Sequence, residues 1–199
     1  MEMTRLEKWL VNRNKKAERN IARVRQRLAT LPTAALKDVL ELGCGIGAVS
    51  AFLSETDNLK VCGTDYDHKQ IEIARTRHPE NERLIFQVED ATRLSFQDSS
   101  FDLVVSQNVF HHLKNWPAGV SEIARVLRSG GFLLWLDLAF PKWVAQFFQP
   151  LVKNHSLYCI ADVKYVFEKQ GFNQRFHERR FHGPISQHHV IWQKSEVGR

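Results

Sequence analysis

The chain has 199 residues, 43% hydrophobic and 25% charged, with a formal net charge of +6 and three cysteines. This excludes a disordered chain, and three cysteines exclude both a disulfide scaffold and a four-cysteine zinc site. No apolar run reaches the roughly 20 residues that span a bilayer, and the charged start MEMTRLEKWLVNRNKK lacks the apolar centre of a secretory signal, so a cytoplasmic protein with one sizeable core is expected.

The positive charge is local. Residues 1–36 hold nine basic side chains (Arg5, Lys8, Arg13, Lys15, Lys16, Arg19, Arg23, Arg25 and Arg27) against three acids, a surplus equal to the net charge. Residues 37–199 are neutral overall. Ala17, Ile21, Val24, Leu28 and Leu31 step by four and three, which predicts one apolar helix face. Leu6, Trp9 and Leu10 form an earlier apolar group, and Pro32 ends the helix. A basic amphipathic helix can pack its stripe on the domain and solvate its charges. It can also lie on an anionic membrane or track nucleic-acid phosphates.

After Pro32 the run Asp38–Leu42, DVLEL, reads as a strand. Gly43-Cys44-Gly45-Ile46-Gly47 then reads as a tight turn, and Ala48–Ser54 as a helix. Glycines permit positive φ and close approach of a ligand. A second strand is expected at 59–63. It leads to Asp65, whose distance from the turn suits a carboxylate that accepts both hydroxyls of a ribose. Two cofactor classes use this geometry. Gly43, Gly45 and Ala48 fit a dinucleotide turn. Glu41 would repel a pyrophosphate, so it favours S-adenosylmethionine.

Further motifs follow in order: VCGTDYD at 61–67, FQVEDATRLSFQDSSFDLVVSQNVFHHL at 86–113 and RVLRSGGFLLWLD at 125–137. With VLELGCGIG at 39–47, the chain resembles the class I S-adenosylmethionine-dependent methyltransferase family, in its small-molecule, methyltransferase-11-like branch. The resemblance covers about residues 36–137. It implies one doubly wound α/β domain over 1–199, with a seven-stranded, mostly parallel, Rossmann-like sheet of order 3-2-1-4-5-7-6. GFNQRFHER would be strand 6 and PISQHHVIWQ an antiparallel strand 7. Residues 1–35 would be a basic amphipathic helical cap.

The same resemblance assigns residues. Gly43, Gly45 and Gly47 would wrap the methionine part of the cofactor, with Glu41 supporting the loop. Asp65 would hold the ribose and Tyr66 would lie on the adenine. Asp90 and Ala91 match the family's Asp-Ala step beside the adenine amino group, although Asp90 also reads as a cap for a helix over 91–94. Ser106 and Gln107 would approach the methionine end. His111, His112 and Tyr158 are the candidate catalytic residues. Adjacent histidines on a helix diverge by about 100°, so His111 and His112 are poor metal ligands. His188 and His189 should point to opposite faces of a strand. No metal site is expected.

Residues 138–152 carry Phe140, Trp143, Phe147 and Phe148 around a short helix between Pro141 and Pro150. These aromatics either wall the acceptor site or cover the sheet end. The expected activity is methyl transfer to a small hydrophobic or amphiphilic acceptor, with peripheral contact to an anionic membrane. The competing readings are a tRNA or rRNA methyltransferase and an inactive methyltransferase-like binding protein. The neutral body and the sequence Ser-Gln-Asn-Val, in place of an Asn-Pro-Pro-Tyr loop, argue against nucleic acid. Intact motifs argue against inactivity.

Overall fold

The computed structural model describes residues 14–56, 59–149, 152, 155–182 and 185–196. The amphipathic stretch forms α1 (Asn14–Leu28); Leu6, Trp9 and Leu10 lie outside the described residues. The chain then alternates through β1 (Asp38–Leu42), α2 (Ala48–Ser54), β2 (Lys60–Asp65), α3 (His68–Arg77), β3 (Leu84–Val88) and β4 (Phe101–Gln107). A 3-10 turn (Phe110–His112) leads to α4 (Trp116–Val126), β5 (Leu127–Ala139) and α5 (Lys142–Phe148). Then come α6 (Ile160–Lys169), β6 (Phe172–His182) and β7 (Ile185–Lys194).

The strands form one sheet of order β3-β2-β1-β4-β5-β7-β6, as the resemblance implies. β1 to β5 run parallel, and β7 runs antiparallel to β5 and β6. Parallel strands need crossovers, and these place helices on both faces of the sheet. β1 divides the interior by its alternation. Val39 packs with Val24, Val49 and Ile71 on one face. Leu40 and Leu42 pack with Ile123, Trp135 and Phe167 on the other.

Helix α1 is a packed layer of this fold. Val24 and Leu28 are buried, and Ile21 and Leu31 pack beside them. Burial of such side chains is worth about 1.5–3 kcal/mol each. Arg25 lies over Phe52 of α2. Arg27 lies over Phe176 of β6 and pairs with Glu178. The apolar stripe therefore faces the domain, which leaves only the charged faces of α1 open to other partners.

Local departures from the sequence reading have clear causes. β2 continues to Asp65, so that carboxylate stands at the strand's end. Residues 91–94 form a turn where a helix was expected. Asp90 accepts the Thr92 N–H at 2.8 Å and its hydroxyl at 2.7 Å, a local side-chain bond that competes with helix formation. His111 and His112 lie in the 3-10 turn, and their ring centroids come within 4.1 Å, closer than the expected divergence. Trp143, Phe147 and Phe148 are exposed and none of them lines the central cleft. Pro150 lies outside the described residues. Among the described residues, no helix is long and apolar enough to cross a membrane.

Candidate active site at the carboxyl edge of the sheet

In an open parallel sheet, ligands bind outside the carboxyl ends of the strands. There a cleft of about 880 Å³ lies between the glycine loop, the ends of β2 and β3, the turn after β4 and helix α1. The loop is built on backbone that suits glycine. Gly43, Gly45 and Gly47 have φ of +67°, +54° and +80°. A Cβ on Gly43 would stand 2.4 Å from Val109 Cγ2, so glycine there lets the loop touch the turn after β4. A Cβ on Gly47 would stand 2.7 Å from Phe86 Cζ. Gly47 thus brings α2 onto β3 and, unlike Gly43 and Gly45, does not line the cleft.

Two carboxylates hold this loop. Asp65 accepts the N–H of Gly45 at 2.9 Å and of Asp67 at 3.0 Å. Glu41 is buried and accepts the Ser50 hydroxyl. Burial pushes the Glu41 carboxyl up to about 7; the Ser50 hydrogen bond opposes this and the nearby Asp65 adds to it. Burial also raises Asp65, against the pull of its two N–H donors. Tyr66, Asp90 and Ala91 line the same cleft, with Tyr66 and Asp90 exposed. Gln107 lines it with both amide atoms buried and unpartnered. Ser106 lies one position off the cleft, fully buried with an unpaired hydroxyl.

The turn after β4 depends on Asp137, at the carboxyl end of β5. Its fully buried carboxylate accepts the N–H groups of Val109 at 2.9 Å, Phe110 at 2.7 Å and Leu138 at 2.7 Å. It also meets His111 Nδ1 at 2.5 Å. With a proton on Nδ1, the other ring nitrogen of His111 is left as an acceptor. His111 and His112 both line the cleft. Tyr158 does not. It is buried beside Trp116 and Trp135, and burial and the Asp137 charge push its phenol well above the ordinary value. Tyr158 is therefore a packing residue behind Asp137.

Three lining or supporting residues escaped the sequence reading. Asp137 ends an apolar strand, where a charge is out of pattern, and that is the signal that could have marked it. Asn108 has φ +55°, a backbone state that asparagine tolerates. Gln187 reaches the cleft from β7, with a buried, unpartnered Oε1. His188 and His189 do part to opposite faces. His188 bonds His177 and Ser186, while His189 lies near Glu178.

Glu41 makes the fold pH-sensitive. Its carboxyl stays protonated up to about pH 7 in the fold and ionises near 4.5 when unfolded. Its contribution is full below that lower value and is lost as the pH rises through the upper one. Relative to Glu41→Gln, the wild type should lose roughly 3 kcal/mol of stability across this window in urea unfolding. Equal pH dependence in the two proteins would contradict the assignment.

Comparison with known proteins agrees with this geometry. The methyltransferase domain family matches residues 40–135. The 2-methyl-6-phytyl-1,4-hydroquinone methyltransferase of Synechocystis is 36% identical over 110 residues, 55% of this chain and 34% of that protein. The demethylmenaquinone methyltransferase of Leptospira interrogans is 35% identical over 120 residues, 55% of this chain and 48% of its own length. The chain thus spans between a third and a half of these relatives. The crystal structure of a putative sarcosine dimethylglycine methyltransferase from Galdieria sulphuraria superposes with a TM-score of 0.77, at 16% identity, over 92% of this chain and 88% of that one. Residues 40–135 therefore match a methyltransferase domain, set in a seven-stranded Rossmann-like fold shared with solved methyltransferase structures.

Proposed function

We propose that this protein moves a methyl group from S-adenosylmethionine to a small hydrophobic or amphiphilic acceptor. The observation that carries the reading is the meeting, in one cleft, of the glycine loop with the His111–Asp137 pair. The residues fit the donor. Gly43 and Gly45 hold the positive-φ turn at the cleft, Asp65 and Glu41 fix the loop, and the amide of Gln107 is unpartnered. Asp65 and Tyr66 would hold the nucleoside, Asp90 and Ala91 its base, and Gln107 the amino-acid end.

S-adenosylmethionine supplies an electrophilic methyl on a sulfonium and leaves as a neutral thioether. The chain supplies position, exclusion of water and a proton acceptor. As an acceptor hydroxyl or amine takes the methyl, its proton passes to the free ring nitrogen of His111. Asp137 then faces the imidazolium, so its charge is compensated. The relatives support the acceptor class, since their names specify a phytyl hydroquinone and a demethylmenaquinone.

The proposal includes a cytoplasmic location with peripheral contact to an anionic membrane. Trp143, Phe147 and Phe181 are all exposed, and Arg179 stacks over Phe181. Aromatic side chains with adjacent cations suit an anionic interface. The protein should sediment with anionic vesicles at low salt and less with Trp143→Ala/Phe147→Ala; no sedimentation of the wild type would refute the contact.

The chemical reading has its own test. Asp65→Ala should weaken S-adenosylhomocysteine binding by about 1–3 kcal/mol in calorimetry. His111→Ala should retain that binding and lose roughly 10²–10⁴-fold in turnover with a quinol acceptor. Binding of NADH in place of S-adenosylhomocysteine would overturn the assignment.

A further inference from the structure

The cleft is divided by charge. Asp65, Glu89 and Asp90 line it at the ends of β2 and β3. Across from them α1 presents Lys16, Arg19 and Arg23. Their spacing of three and four places them on one helix face. Several cations elsewhere in the fold meet carboxylates. Arg27 meets Glu178, Arg125 meets Asp98 and Glu122, and Arg128 meets Asp38 and Asp102. Among the described residues no carboxylate pairs with Lys16, Arg19 or Arg23. Burial lowers the Lys16 ammonium below its ordinary value, and the charges of Arg19 and Arg23 lower it further.

Like charges at this spacing destabilise a helix, and Lys16 and Arg23 are partly buried, which reduces the water that would screen them. The methyl donor does not resolve this. It carries one carboxylate against an ammonium and a sulfonium, so it adds net positive charge to the cleft. A second ligand with negative charge would compensate the cationic wall. In the same cleft, Asn20 Oδ1 and Gln187 Oε1 are buried and unpartnered. They are acceptors for an O–H or N–H.

We propose that the methyl acceptor is an amphiphilic anion, whose carboxylate or phosphate lies against Lys16, Arg19 and Arg23 while its nucleophilic O–H or N–H faces Gln187 and His111. This rests on the methyltransferase reading and narrows it to a charge class. Helix α1 is then a specificity element of the site, because it brings three cations to the lining, beside Lys114 from the segment before α4.

Calorimetry on protein saturated with S-adenosylhomocysteine tests the inference, with 1-naphthyl phosphate, 1-naphthoate and neutral 1-naphthol as probes. At low salt at least one anion should bind about tenfold tighter than the naphthol, and the preference should shrink at high salt. The two anions separate phosphate from carboxylate recognition. Arg19→Gln/Arg23→Gln should remove the preference, and Lys16→Gln alone should reduce it. Equal affinity for all three probes, or a preference that survives the double substitution, would overturn the inference and leave the methyltransferase reading intact. Failure of S-adenosylhomocysteine to bind the wild type would overturn both.

Discussion

A carboxylate taken out of water must find hydrogen-bond donors, and in this fold that requirement shapes the site. Leaving such a group unsatisfied costs several kcal/mol. Asp137 has no exposed surface and meets the demand with three backbone N–H groups and a histidine ring. Asp65 does so with the N–H groups of Gly45 and Asp67. Each acid lies at or near the carboxyl end of a parallel strand, and each gathers the loop that follows a neighbouring strand. The loops at the carboxyl edge are thus held by charge-assisted bonds at their backbone, which leaves their outward surfaces for ligands.

The same device separates the roles of the site. The Asp65 side of the cleft is acidic and holds the glycine loop, whose positive-φ backbone can approach a ligand closely. The Asp137 side orients His111 toward the cleft. Between them α1 adds three cations and no acid of its own to the lining. Its apolar stripe anchors it on the sheet, so the cations are carried by a packed element, and their position is as fixed as the core beneath them. Charge in the cleft is therefore graded from one wall to the other.

The parts legible in the sequence were those encoded locally. β1, the glycine turn, α2 and Asp65 follow one another within 28 residues, and each carries its own propensity or spacing signal. The sheet order was legible only through the resemblance, since nothing in residues 171–194 states which strand they join. Asp137 was missed because its partners lie 26 to 28 residues away and only folding brings them together. The periodicity of α1 located its apolar face. What its basic face covers depended on how the helix packs in the fold, where Arg27 meets Phe176 and Glu178, some 150 residues on. Tyr158 looked catalytic by its place after the variable segment. Trp116 and Trp135 enclose it instead.

The central claim is that the glycine loop, the Asp137-bound turn and α1 form one binding site. Amide hydrogen exchange, measured with and without S-adenosylhomocysteine, tests it most directly. Bound ligand should slow exchange together in three segments: 43–47, 107–112 and 16–23. Protection confined to the glycine loop, with 16–23 and 107–112 unchanged, would contradict a shared site.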